Sequence, residues 1–417
     1  MKRSGLALTH LPNDLVERSV AKAVRAKIIM LRAGPSAYAG HHVDLAGESL
    51  LNFGSCSYLG LEVRPELKQG VIDAVVRYGT QFPFAQPFIN CSLYGDLESA
   101  LEEMTGGHVL IAPSTTLAHI AALPVLVEPS DAVIVDQFAH ASIYTAAKLI
   151  HGAHTEILPH NRLDMLADRV GALSKAHKKV WYLLDGLYSM RGDFAPLEDL
   201  SKLLRDLPQL HLYVDDAHCT SWTGTHGRGY TLERIPDRDR VIVALSLNKA
   251  FSAAGGAVVL PSSLQRDRIR WIGGPMLFSG AIQPPMLGAA VASARIHLRR
   301  DFDELQQRLL KRIERVHALA STLGVPLASD DLTPIAFIPC GVHDAAFSLC
   351  HALRRRGFYI AAAVFPAVPY NKSGLRLTIS LHNDERDTER VMEALAEEIG
   401  RIPEMEEGKR PAVACAQ

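Results

Sequence analysis

Between residues 105 and 262 the chain repeats one pattern, and that pattern sets what it can fold into. Short runs that are apolar throughout recur: HVLIAP at 108–113, DAVIVD at 131–136, KVWYLLD at 179–185, LYVDD at 212–216, VIVALS at 241–246 and GAVVLP at 256–261. Helical stretches such as DMLADRVGALSKAHKK and LEDLSKLLRDL separate most of them. A strand with one face in water alternates polar and apolar residues, whereas a run without alternation is buried on both faces. Buried runs separated by helices predict an α/β fold: a large domain with a mainly parallel seven-stranded sheet, covered by helices on each side.

The flanks fit around this centre. LVERSVAKAVRAKIIMLRA, near the start, has helical spacing and is expected to run to about Gly34-Pro35. A long helical stretch from about 286 leads into IAFIPC, DAAFSLCHALRRRG, FYIAAAV, LRLTIS and ERVMEALAEEIG, which alternate strand and helix. The expected divisions are an N-terminal helical arm with short strands (1–60), a large domain (61–295), a smaller C-terminal α/β domain (296–405) and a loose tail (406–417).

Composition narrows the function classes. Lys+Arg number 44 against 45 Asp+Glu, a formal charge of −1, which gives no electrostatic case for nucleic acid. No run approaches the roughly 18 consecutive apolar residues of a membrane span. The start, MKRSGLALTHLPND, meets Pro12 and Asn13 too soon for a signal-peptide core. Six cysteines are scattered without a CxxC pair, the expectation for reduced thiols in a cytoplasmic protein. The 18 histidines give no metal-ligand spacing, and HGAH at 151–154 lacks a third ligand. No metal is expected. GxGxxG after the first strand, GxxxxGK[ST] and GxSxG are all missing, so nicotinamide, P-loop and hydrolase readings lack support.

Ligands of open α/β sheets sit at the carboxyl ends of the strands. There the runs deliver Asp136 followed by His140, then Asp185, then Asp215-Asp216-Ala217-His218, then Ser246-Leu247-Asn248-Lys249. Lys249 is the one charge between Val241 and Pro261. A lysine in such surroundings loses proton affinity and can form a Schiff base. An aspartate at a neighbouring strand end could hold a pyridinium nitrogen protonated. Taken singly, each residue has an ordinary structural explanation: solvent for Lys249, helix capping for the aspartates, core hydrogen bonds for the histidines.

In this order the residues resemble the α-oxoamine synthase family of fold-type I pyridoxal-phosphate (PLP) enzymes. The resemblance runs from about Phe53 to Leu395, through FGSCSYLGL, DQFAHASIYTAAKL, LPHN, LLDGLYSMRGDFAPLEDL, YVDDAHCTSWTGTHGRG, SLNKAFSAAGG, FSGAIQPP and LRLTIS. It implies PLP as cofactor and assigns roles by position. Lys249 matches the lysine of the internal aldimine, Asp215 the partner of the pyridine nitrogen, His218 the donor to the phenolic oxygen, and His140 the ring-stacking histidine. Ser189 matches a serine near the cofactor, and Asp185 a family glutamate or aspartate. Ser246 matches a phosphate contact. Ser114 and Thr115 stand at a helix start where backbone N–H groups reach the phosphate. Ser279 falls where a neighbouring subunit supplies a phosphate contact. His160, in LPHN, is a weaker third histidine.

Departures locate what differs. GTQFPFAQPF (79–88) replaces a glycine-rich stretch, and Cys56 stands at an asparagine position. The arginine that grips the substrate carboxylate falls on Val364, which leaves Arg376 as the carboxylate candidate. DGLYS and SLNKAF are similar to the α-aminoketone autoinducer synthase subgroup. The implied reaction is decarboxylative condensation of an amino acid with an acyl thioester, on coenzyme A or an acyl carrier protein, in a homodimer. Two alternatives stay open: another PLP reaction (aminotransferase, aldolase or decarboxylase) or a non-catalytic family subunit.

Overall fold

The computed structural model describes residues 13–402. The expected tail (406–417), Cys415 and the first residues of the N-terminal arm lie outside them. The chain divides into two compact units, one of Leu59–Tyr188 and Phe194–Gln306, the other of residues 13–58, Ser189–Asp193 and 307–402.

The larger unit is built on seven strands lying side by side in the order His108–Ala112, Gly256–Leu260, Val241–Ser246, Leu210–Asp215, Val180–Asp185, Ala132–Asp136 and His154–Leu158. Gly256–Leu260 runs antiparallel to both neighbours and the other pairings are parallel. All six apolar runs of the sequence are strands. Every residue of Val180–Asp185 and Val241–Ser246 is buried, as a sheet covered on both faces requires. The seventh strand, His154–Leu158, is one of the two edges, and of its residues only Leu158 is buried. Its Glu156 binds Arg169 through two hydrogen bonds of 2.8 Å, and such charge blunts an edge against further pairing.

Two helices that cover the sheet, Pro65–Tyr78 and Pro284–His297, cross where both carry glycine. A Cβ on Gly288 would stand 2.1 Å from the carbonyl oxygen of Gly70, so any side chain there would force the backbones apart. The helical stretch from about 286 is two helices, not one. After His297 the chain turns through Arg299 and restarts at Phe302–Leu323. The turn buries Phe302 against His297, ring centroids 4.2 Å apart.

In the smaller unit, Ile335–Gly341, Ser373–Thr378 and Ala361–Ala363 form an antiparallel sheet. Helices His343–Arg355 and Glu385–Ile399 accompany it, the second opened by a capping box between Asp384 and Asp387. The N-terminal region joins this unit: His42–Leu45 pairs with Glu48–Asn52, which pairs in parallel with Phe358–Tyr359. The first helix, Asn13–Arg25, stops short of the expected Gly34. Lys27 turns left-handed (φ 53°), its N–H bonds to the Val24 carbonyl, and the Ile28 N–H reaches back to Ala23. This is the Schellman arrangement, with Ile28 and Ala23 both buried beneath it.

Candidate active site

The strand directions bring Asp136, Asp185, Asp215 and Ser246 to the same edge of the large sheet, with the turn after Ala112 beside them. Asp215 is the best-held group there. Its Oδ1 accepts the Ala217 N–H at 3.0 Å, and its Oδ2 lies 3.0 Å from Nε2 of His119. His119 is fully buried in the helix Thr115–Leu126, and its Nδ1 lies 2.9 Å from the Tyr213 hydroxyl. Burial works against ionisation of Asp215. The His119 ring, then the charges of Lys249 and His140, outweigh it and hold the carboxyl below the usual carboxylate range. Sequence reading passed over His119, since one histidine within an apolar helix carries no motif.

Asp185 is the register partner of Asp215 on the next strand. Burial first, then the Asp215 charge, push its carboxyl well above the ordinary range, although it accepts the His140 backbone N–H at 2.9 Å. The adjacent carboxyls are therefore pushed in opposite directions, Asp215 down and Asp185 up, as like charges at close quarters demand.

His140 follows the strand ending at Asp136 and caps the helix Ala141–Ala147, accepting the Ser142 N–H at 3.3 Å. Its Nδ1 lies 2.6 Å from the Ser142 hydroxyl. The residue is exposed, yet desolvation of the ring lowers its pKa, opposed by Asp215 and aided by Lys249. Asp136 anchors this loop. It accepts N–H groups of Phe138 (2.8 Å) and Asn161 (3.1 Å) and the Tyr182 hydroxyl (3.0 Å), and lies 3.0 Å from His160 Nδ1. His160 therefore braces the loop that carries His140.

Lys249 sits in a turn tied by the Ser252 N–H to its own carbonyl (2.9 Å) and by Leu247 to Gly255 (3.0 Å). Its charge reaches Asp215, Asp185 and His140. Ser246 is buried and its hydroxyl donates to Asn248 Oδ1 at 2.5 Å. Ser114 caps the helix Thr115–Leu126 by accepting the Leu117 N–H at 3.2 Å, and the Thr115 hydroxyl donates to the Leu245 carbonyl at 3.3 Å. A Cβ on Gly256 would meet the Thr115 nitrogen at 2.4 Å, so glycine lets the helix start close against the strand ends.

His218 is buried in the turn after Asp215, where its carbonyl accepts the Trp222 indole N–H at 2.6 Å. Asp216 points elsewhere. It accepts the Thr231 N–H at 2.9 Å, and a Cβ on Gly186 or Gly229 would strike it at 2.0 or 2.4 Å. It is a strut for the GRG loop, and burial pushes its carboxyl up to about 6. Ser279 lies partly exposed at the end of the short helix Gly274–Phe278.

Ser189 and Arg376 belong to the other unit. There the Arg376 Nε donates to the Ser189 carbonyl at 2.5 Å, Nη1 lies 3.6 Å from Cys56 Sγ, and Nη2 3.4 Å from the Tyr58 hydroxyl. Val364 is buried. Among the described residues no group of three or more His, Cys, Asp or Glu could hold a metal ion.

Residues 51–395 match the model of the family described as aminotransferase class I and II. The 8-amino-7-oxononanoate synthase of Dechloromonas aromatica is 31% identical over 394 residues, covering 93% of this chain and 98% of that one. The mitochondrial 2-amino-3-ketobutyrate coenzyme A ligase of Bos taurus is 30% identical, covering 90% of this chain and 88% of that one. The chain belongs to the aminotransferase class I and II family. Within the family these relatives are α-oxoamine synthases, the group its motifs resemble. The fold agrees. Serine palmitoyltransferase of Sphingomonas wittichii superposes with a TM-score of 0.83 at 22% identity, covering 95% of this chain and all of that one. A serine palmitoyltransferase of S. paucimobilis with a bound PLP–myriocin aldimine superposes with a TM-score of 0.85 at 20% identity. The large unit is thus the α/β sheet that the apolar runs predict, in the fold-type I arrangement that the resemblance implies.

The residues present fit PLP. An ionised, buried carboxylate at Asp215 suits a protonated ring nitrogen, and an amine at Lys249 suits the aldehyde. The helix start at Thr115, which Gly256 leaves uncovered by any Cβ, suits a phosphate.

Proposed function

We propose that this chain catalyses the PLP-dependent decarboxylative condensation of an amino acid with an acyl thioester, giving an α-aminoketone, CO2 and a free thiol. The observation that carries the reading is Asp215, buried yet held ionised at the sheet edge that also presents Lys249. Relatives that are α-oxoamine synthases support it.

When bound, PLP supplies an electron sink for negative charge at the substrate Cα. Asp215 keeps the proton on the ring nitrogen, without which that sink weakens. His218 would donate to the phenolic oxygen, and His140 would lie against the ring. The backbone N–H at Thr115, with Ser114 and Ser246, would bind the phosphate, joined by Ser279 of the partner subunit. Asp185 fixes the His140 backbone by accepting its N–H, and burial disfavours a second negative charge there. Lys249 Nζ takes the Cα proton and returns one after CO2 has left. Arg376 grips the amino-acid carboxylate; its partners are a carbonyl, a thiol and a phenol, which leave its charge for a ligand. Ser189 positions Arg376 through its carbonyl.

The working form is a homodimer in the cytoplasm. Phe278 (89% exposed), beside Ser279, and Phe88 (85% exposed) offer the apolar surface a partner copy would cover. The free cysteines Cys56, Cys91, Cys219, Cys340 and Cys350 suit a reducing compartment. The test is release of CO2 and free thiol from a panel of amino acids with acyl-coenzyme A and acyl carrier protein donors. Absence of both from PLP-loaded protein overturns the reading, and conversion of the cofactor to its pyridoxamine form would instead mark an aminotransferase.

A further inference from the structure

We propose that His119 is a positioning residue: with Tyr213 behind it, it fixes the carboxylate of Asp215 in the charged state and orientation that a protonated ring nitrogen requires. The inference rests on the reading that Asp215 faces the PLP ring nitrogen.

Three groups form a chain of contacts, with Tyr213 OH 2.9 Å from His119 Nδ1 and His119 Nε2 3.0 Å from Asp215 Oδ2. His119 and Tyr213 are wholly excluded from solvent, so no water competes for either ring nitrogen. Burial raises the Tyr213 phenol well above its ordinary range, which keeps its proton in place. A protonated phenol donates to Nδ1 and thereby sets the tautomer with hydrogen on Nε2, directed at Asp215. The Ala217 N–H holds the other oxygen, so rotation of the carboxylate is blocked from both sides.

The position of His119 is informative too. It stands in the first turns of the helix Thr115–Leu126, whose start faces the same sheet edge. One helix therefore supplies the Thr115 N–H groups and the support for Asp215, and couples the two ends of the cofactor site. The other charged or titratable groups bearing on Asp215 are Lys249, His140, Asp185, Asp216 and Cys219.

The experiment loads wild type and variants with ring-15N-labelled PLP and reads the 15N chemical shift without substrate, together with the cofactor Kd. His119→Phe is expected to move the shift toward the deprotonated nitrogen and to weaken PLP roughly tenfold, the scale of a hydrogen bond to a charged group. His119→Gln, which keeps a donor toward Oδ2, should restore most of both. Tyr213→Phe, a smaller change in the core, should shift the signal in the same direction by less. Wild-type shift and Kd in His119→Phe overturn the proposal, as does failure of the glutamine to restore them. If His119→Phe does not fold, an unchanged signal in Tyr213→Phe overturns it. Asp215→Asn is the control for the parent reading. If it too leaves the ring nitrogen unchanged, Asp215 does not face the ring, and both readings fall for a recognisably different reason.

Discussion

Asp215 and Arg376 are buried to a similar degree, 5% and 6% exposed, and the protein treats their charges in opposite ways. Asp215, in the large unit, is surrounded by groups that favour its charge: His119 in contact, and the charges of Lys249 and His140 acting on it. Arg376, in the smaller unit, has a carbonyl, a thiol and a phenol for partners. Burial lowers its proton affinity, but the thiol and phenol beside it raise that affinity by more. A buried charge whose contacts all favour it is locked in the charged state before any ligand arrives. A buried charge with neutral partners is held in place while its field stays available, which is the condition for gripping an incoming anion.

The largest expected effect tests the first half of that contrast. Asp215→Asn keeps shape and loses charge, so kcat should fall by roughly a thousandfold, the upper range for removing one preorganised electrostatic group. Steady-state kinetics decide it, and a loss below tenfold would break the comparison. Arg376→Gln tests the second half. It should raise the amino-acid KM by roughly 10- to 100-fold, the worth of a charge-assisted bidentate contact, and leave the PLP Kd within about twofold. A cofactor affinity that drops with it would show that Arg376, like Asp215, serves the cofactor.

Much of this was legible in the sequence, for a physical reason. Strands buried on both faces must be apolar throughout, so Val180–Asp185 and Val241–Ser246 announce themselves. The polar residues that end them stand out against that background, which is how Asp215 and Lys249 are found. His154–Leu158 was missed as a run because an edge strand faces water and carries Glu156 in place of apolar residues. His119 escaped because its role depends on Asp215, 96 positions away, and tertiary pairing leaves no local trace. Asp216 misleads in the opposite sense. It sits in the same DDAH motif as Asp215, but alternation along the strand sends it to the GRG loop.

Asp216 also extends the comparison, as a buried carboxyl beside Thr231 N–H, a thiol and the like charge of Asp215. Burial raises its pKa from 3.8 to about 6, so the folded state holds its proton more tightly than the unfolded chain does. Its contribution is complete below the unfolded value and is lost as pH rises through about 6. Relative to Asp216→Asn, the wild type should therefore lose up to about 3 kcal/mol of stability across that interval and nothing further above it. Urea denaturation of both proteins at the two ends of the interval measures the difference. A constant difference would mean that the Asp216 carboxyl titrates in the folded protein as it does in the unfolded chain, and that burial does not shift it.

Cys56 gives the smallest effect and the finest test of the idea that Arg376 is kept available. Its Sγ lies 3.6 Å from Nη1, and a thiol is a poor acceptor. Asparagine, which the resembling family has at this position, offers an amide oxygen and should bind Nη1 more strongly. In Cys56→Asn that tie competes with the substrate carboxylate, so the amino-acid KM should rise by roughly fivefold, the scale of one neutral hydrogen bond, with kcat little changed. Cys56→Ala removes the acceptor and should leave KM level or slightly lower. The opposite signs matter more than the sizes. If both substitutions raise KM alike, Cys56 touches the substrate itself, and its thiol rather than the availability of Arg376 sets the fit of the carboxylate.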